Sequence, residues 1–440
     1  MNSLLNKFYI PNLPIFKAIE KLLLKNGKLD LSEICFVCTQ HELAATINLV
    51  ESLVQLGANP SYIYLLGKYY STCNDVADKL LELGIQRQLP SVPTQLGDFS
   101  TSFKADIEQM WEQCAKTIKN NHISNIVILD DGGRCLAGVP KEMYGKHTIV
   151  GIEQTTGGIV NPDIQNLPFP IIEVASSAAK LWLESPIIAS AAITEKIDTL
   201  MSAFKEKTVC GVIGTGYIGM AVIKKLLSLG YKVIGYDKNK DKSWQFSNFK
   251  WGRDVKNVIK AADFIFGCTG YDITDSINID QIINNDKHFF SCSSEDKDFF
   301  SLLKLIQEQS PFCTPKNLGN VVFMAKNGYK ATVWRSGFPI TFDNGPQPAP
   351  ANDIQLTQGL LLCSLIQAVT LLPDTAINCS RSRVMLDPFI QQFIAKEWSL
   401  TQIVDNYLKE MLQRFHDFHW ILSHSGGAYT ENVHIKHFFR

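Results

Sequence analysis

Residues 209–219 read Val-Cys-Gly-Val-Ile-Gly-Thr-Gly-Tyr-Ile-Gly, and this short stretch constrains the chain more than any other. Val209–Ile213 is an apolar run of strand length, and Ile218–Leu229 carries a helical spacing of apolar residues. Between them, Gly214 permits a tight turn and Gly216 lets backbone approach a diphosphate. Gly219 lets helix and strand pack closely, and the helix N-terminus attracts the anion. Tyr217 and Ile218 open that helix. Asp237 lies 23 positions after Gly214, at the end of the next strand, Lys232–Gly235. An acid there accepts hydrogen bonds from a ribose diol and repels a 2′-phosphate, so NAD is favoured over NADP. Thr269 and Gly270 follow a later strand, Asp263–Gly267, and complete the expected cradle.

About 200 residues precede this unit, and they alternate short apolar runs with amphipathic stretches. Ile34–Cys38, Tyr62–Leu66, Asn125–Leu129, Thr148–Ile152 and Pro170–Val174 read as strands. Leu43–Leu56, Val76–Leu83 and Ala105–Ile118 read as helices. Such alternation predicts an α/β fold with two doubly wound parallel-sheet domains. The expected organisation is a substrate-binding domain over 1–185 and a Rossmann domain over 186–345. A helix over 346–375 returns to the substrate domain, and a helical tail covers 376–440. Thr341–Ile354, rich in Pro, Gly and Asn, reads as a crossover loop.

Lys and Arg total 42 against 43 Asp and Glu, a formal net charge of −1. That balance argues against nucleic acid or a membrane surface as a partner. No apolar run reaches the roughly 18 residues that span a bilayer. The N-terminal residues show no basic segment followed by an apolar core, so a cytoplasmic location is expected. Cys35 and Cys38 form a CxxC on an apolar strand and read as buried thiols. His416, His419, His424, His434 and His437 crowd the last 25 residues without a Cys or acid to complete a zinc pattern, so no metal is expected.

Several motifs together resemble the S-adenosylhomocysteine hydrolases. Ile128-Leu129-Asp130-Asp131-Gly132-Gly133 matches their ILDDGG signature. Gly151-Ile152-Glu153-Gln154-Thr155-Thr156-Gly157 is similar to their G-x-x-E-E-T-T-T-G segment. Lys180 lies where they carry a lysine, and His41 precedes Leu56-Gly57-Ala58 at the family's spacing. The resemblance implies a hydrolase whose tightly held NAD oxidises the ribose 3′-hydroxyl of a nucleoside substrate. It implies Asp131 as the base at C4′, Lys180 at the 3′-hydroxyl and His41 near the leaving group. Glu184 takes the place of an aspartate, and Asp130, Glu153 and Gln154 hold substrate. Thr155 and Thr156 contact the nicotinamide ribose, and the assembly is a homo-oligomer. The sequence departs from the family where Gln154 replaces a glutamate and where Ser293–Asp296 and Asn344–Pro348 lack a histidine.

Blander readings stand beside these. Asp130-Asp131 suits a helix cap or turn after a strand, Glu184 a helical surface acid, and Glu295 a solvated loop acid. Two other functions stay open. One is a catalytically impaired relative that binds NAD or nucleoside in a regulatory role. The other is an ordinary NAD-dependent hydroxy-acid dehydrogenase, which would exchange its cofactor and need no nucleoside.

Overall fold

A computed structural model of the chain describes residues 10–11, 13–27, 29–193, 195–203, 208–239, 247–342, 345–373, 382–403 and 405–439. Asn344, at the head of the Asn344–Pro348 segment, and the first residues of the expected tail lie outside them. The chain divides into two compact units. The first comprises 1–90, 103–184 and 344–440, and the second 91–102 and 185–343.

The first unit is built on a seven-stranded parallel sheet. Its strands are β1 (Ile34–Glu42), β2 (Ile63–Thr72), β3 (Gln86–Gln88), β4 (Asn125–Asp130), β5 (Thr148–Glu153) and β6 (Ile171–Glu173). β14 (Arg383–Met385), at the end of the chain's strand order, completes it. The spatial order is β14-β6-β5-β4-β1-β2-β3. From β1 the chain winds outward through β2 and β3, then returns to lay β4 on the other side of β1. The central strands are buried along nearly their whole length. Both faces of a parallel sheet are covered by helices, so its strands read as unbroken apolar runs rather than alternating ones.

Helix Ala351–Leu371 lies in this unit, and residues 355–371 are all buried. Its length and mean hydropathy of 1.5 suit a membrane span, but 94% of that apolar window is buried inside the fold, as in a core helix. Its Gln367 is spent on the backbone of neighbours. Gln367 donates to the Met385 carbonyl and accepts from the Asp387 amide, both at 3.0 Å. Those two bonds seat β14 at the sheet edge. The tail is helical over Pro388–Ser399, Asn406–Phe415, Phe418–His424 and Val433–Phe439. It also contributes β14, which at three residues is too short to show periodicity in sequence.

The second unit has its own seven strands: β7 (Val209–Ile213), β8 (Lys232–Tyr236), β9 (Phe249–Trp251), β10 (Phe264–Gly267), β11 (Lys287–Ser291), β12 (Val321–Met324) and β13 (Lys330–Val333). Their order is β12-β13-β11-β10-β7-β8-β9. All pairs are parallel except β12 with β13. The same reversal recurs: β8 and β9 lie on one side of β7, and β10 on the other. Phe289, Phe299, Leu302 and Val333 fill the core on one face. Val212, Val222, Phe266 and Phe290 fill the other. Both units are thus doubly wound α/β sheets.

Candidate functional site

In a doubly wound sheet, ligands bind beyond the carboxyl ends of the strands where the winding reverses. In the second unit that point lies between β7 and β10, and the glycine turn stands there. Gly214 has φ +91°, and a β-carbon on it would meet the Cys268 carbonyl oxygen at 2.7 Å. A β-carbon on Gly219 would collide with the Gly214 carbonyl. Gly216 differs: its φ of −62° suits any residue, and nothing lies within 4 Å of its would-be β-carbon. The first and third glycines are therefore demanded by the protein's own packing. The second keeps open the space a diphosphate needs at the N-terminus of helix Tyr217–Ser228. Tyr217 is exposed, and Ile218 is partly buried against the core.

Asp237 turns its carboxylate onto this loop. Its Oδ2 accepts from the Thr215 amide at 2.7 Å and the Thr215 hydroxyl at 3.1 Å, and its Oδ1 from the Asn239 amide at 3.0 Å. Across the switch point, the turn at Cys268–Gly270 is held by Asp298, a residue with no motif around it in the sequence. Asp298 is fully buried and accepts from the Thr269 amide (3.2 Å), the Thr269 hydroxyl (3.0 Å), the Gly270 amide (3.1 Å) and the Ser291 hydroxyl (2.8 Å). Burial pushes its carboxyl above the ordinary range against the pull of those donors. Glu295, expected as a solvated loop acid, is instead buried and paired with Lys297 at 3.0 Å. These residues form a cradle that fits NAD.

In the first unit the winding reverses between β1 and β4, and the strand ends there carry a buried polar cluster. Asp131, just past β4, is its centre. Its Oδ1 meets the Lys68 ammonium, and its Oδ2 meets the Gln154 amide nitrogen and, at 3.2 Å, His41 Nε2. The Asp131 amide donates to Thr39 Oγ1 at 3.1 Å. Gln154 is oriented in turn, because its Oε1 accepts from Gln40 Nε2 at 3.1 Å. His41 Nδ1 lies 2.6 Å from Ser71 Oγ. Burial alone would raise the Asp131 carboxyl. The charges of Lys68 and His41, with the hydrogen bonds they donate, outweigh it and hold the group well below the usual carboxylate range. Asp131 is thus an ionised acceptor saturated by donors. His41, with 24% of its side chain exposed, is the member that can reach a ligand.

The neighbouring acids shape the loops. Asp130 accepts from the Thr39 hydroxyl at 2.5 Å and the Leu136 amide at 2.8 Å, tying the turn that begins the Arg134–Ala137 helix. That is the turn-holding role its position after a strand allowed. Gly132 and Gly133, at φ +114° and +76°, supply the left-handed backbone of this turn. Glu153 Oε1 accepts from the Gly132 amide (3.1 Å), the Thr155 amide (2.7 Å) and the Thr155 hydroxyl (2.6 Å). Its Oε2 is buried without a partner among the described residues. Burial, reinforced by the Asp130 charge, raises the Glu153 carboxyl well above its ordinary value. Thr155 caps a short helix through Gly158, and Thr156 is exposed.

Lys180 and Glu184 form a second cluster rather than joining the first. Both lie on a π-helical turn, Lys180–Glu184, a local form frequent at functional sites. The ammonium meets both Glu184 oxygens, at 2.7 and 2.6 Å, and Thr357 donates to Glu184 at 2.7 Å. The lysine against Asp131 is therefore Lys68, which sequence reasoning missed. Lys68 sits within a strand next to Gly67, and a fully buried cation leaves no mark in hydropathy that separates it from a surface lysine.

Residues 188–276 match the family model of the D-isomer specific 2-hydroxyacid dehydrogenase, NAD binding domain. Two uncharacterised proteins of Mycobacterium tuberculosis, from strains CDC 1551 and H37Rv, are each 28% identical over 347 residues. The match covers 78% of this chain and 66% of theirs. Among solved structures, a dipicolinate synthase from Bacillus halodurans is similar at 14% identity and a TM-score of 0.43, over 76% of this chain and 100% of that one. An NAD-complexed D-isomer specific 2-hydroxyacid dehydrogenase from Lactobacillus delbrueckii ssp. bulgaricus is similar at 12% identity and a TM-score of 0.31, over 77% and 97%. NAD, the cofactor expected from the sequence, agrees with the family model's description. The resemblance to S-adenosylhomocysteine hydrolases, and with it the expected hydrolase, is overturned: the model that matches residues 188–276 is a dehydrogenase's NAD-binding domain. The physical reason is that the motifs that carried the resemblance, Asp130–Gly133 and Glu153–Gly157, stand at strand ends where acids and glycines hold the turns, and residues with that task do not specify a reaction.

Proposed function

We propose that the chain is an NAD-dependent dehydrogenase of a hydroxy acid. The observation that carries this reading is the dehydrogenase family match over 188–276, a stretch that contains the complete glycine cradle and Asp237. Bound NAD supplies a two-electron hydride acceptor. Removing a hydride from a carbinol carbon also requires a base for the hydroxyl proton. His41 is assigned that role, because Asp131, 3.2 Å from its Nε2, is ionised and compensates the imidazolium that forms. Gln154 and Gln40 fix the carboxylate's orientation. Lys180 and Glu184 are assigned to substrate contact beyond β6.

The test pairs binding with turnover. Calorimetry should show NAD bound in preference to NADP. A panel of 2-hydroxy acids with NAD, and of 2-oxo acids with NADH, is followed by nicotinamide absorbance. His41→Gln should lower turnover roughly 10²- to 10⁴-fold while leaving NAD affinity unchanged. A chain that binds NAD and turns over no member of either panel overturns the reading.

A further inference from the structure

Lys68 is fully buried, and its ammonium meets Asp131. A lysine without exposed surface touches no substrate, and a buried ion pair is not by itself a source of stability. Its place in the cluster suggests another role. Asp131 faces two basic groups on opposite oxygens, Lys68 on Oδ1 and His41 on Oδ2. If His41 were the sole basic partner, a buried carboxylate would bind it as imidazolium. The pair would then share one proton and titrate as a unit. A histidine held that way is a poor acceptor for a substrate proton.

We propose that Lys68 is a positioning residue that keeps Asp131 a permanent anion, so that His41 takes up and releases a proton without a change at the carboxylate. This rests on the proton-handling role given to His41 above. The other groups around the imidazole do not replace Lys68. Tyr70, on β2, lies edge-on to the ring at 5.9 Å between centroids, and Ser71 is neutral. Glu42, next along β1, is engaged by the Arg87 guanidinium from β3 at 2.5 and 2.8 Å. Asp130 is tied to Thr39 and the Leu136 amide. Gln154 contributes an oriented dipole and no charge. The cationic charge directly on Asp131 Oδ1 therefore comes from Lys68.

The experiment uses the full chain without substrate or cofactor and follows two signals by nuclear magnetic resonance. These are the His41 imidazole and the Asp131 carboxyl carbon, through a pH titration. In the native chain the Asp131 carbon should keep its ionised shift across the whole His41 transition. In Lys68→Met the His41 midpoint should rise by about one pH unit or more, a tenfold gain in proton affinity, and Asp131 should titrate together with it. Lys68→Arg, which keeps the charge, should restore native behaviour. Asp131 and His41 titrating together in the native chain, or an unmoved midpoint in folded Lys68→Met, overturns the proposal. Should Lys68→Met not fold, the native titration decides alone. Because neither signal needs turnover, failure of the hydroxy-acid reading and failure of this one are read separately.

Discussion

Gly216→Ala separates the glycine that serves the ligand from those that serve the fold. Gly216 sits at the N-cap of helix Tyr217–Ser228 with φ −62° and ψ −168°, and open space faces its would-be β-carbon. Alanine there meets no atom. Losing a glycine restricts the unfolded chain, a gain of about 0.4–1 kcal/mol. Alanine is a poorer N-cap by a similar amount. The variant should therefore match native stability within about 1 kcal/mol. The new methyl does, however, fill the space through which backbone amides reach a diphosphate. Charge-assisted hydrogen bonds contribute about 1.5–3 kcal/mol each, so losing one or two weakens NAD by roughly 10- to 100-fold or more. Thermal unfolding with and without NAD reads both effects. At 100 times the native Kd, the native chain gains about 2.7 kcal/mol, and a variant binding 100-fold more weakly gains about 0.4 kcal/mol. Gly219→Ala, whose β-carbon strikes the Gly214 carbonyl, is the control that should lose stability without any ligand. If Gly216→Ala binds NAD as the native chain does, the diphosphate is not held at this turn and the cofactor reasoning is refuted.

Two predictions concern stability. At Gly67→Ala the β-carbon would run into the Glu42 carboxylate and lie 2.7 Å from Thr72 Oγ1, breaking the buried Glu42–Arg87 pair. Denaturant unfolding should show a loss of about 3–5 kcal/mol, and a loss under about 1 kcal/mol would contradict that packing. Asp387, buried with one oxygen unpartnered among the described residues, has its carboxyl raised by burial to about 6, against the pull of the Phe389 amide and the Lys436 charge. A carboxyl raised in the fold gives its full contribution below the unfolded value of about 3.9 and loses it as pH climbs through about 6. Stability should thus fall on the order of 3 kcal/mol across that window. Asp387→Asn should flatten the fall, and a slope that persists assigns it to another group.

The residue order alone determined a good deal. Unbroken apolar runs of strand length, spaced by helical repeats, dictate two covered parallel sheets, because only a strand buried on both faces reads that way. The glycine turn and Asp237 were legible because their roles depend on backbone conformation and one nearby strand end, both local in the chain. Asp131, His41 and Gln154 could also be picked out, since each stands at or just past the carboxyl end of a strand. Their partners could not. Lys68, 63 positions from Asp131, meets it because β2 and β4 flank β1. Asp298 reaches the Thr269 turn across 29 positions. β14 pairs with β6 and is seated by Gln367, with no pattern of its own in the sequence. Whether a charged side chain is a solvated lysine or a buried counter-ion depends on what strand order brings beside it. Burial energies act between neighbours in space, and only the tertiary arrangement made these residues neighbours.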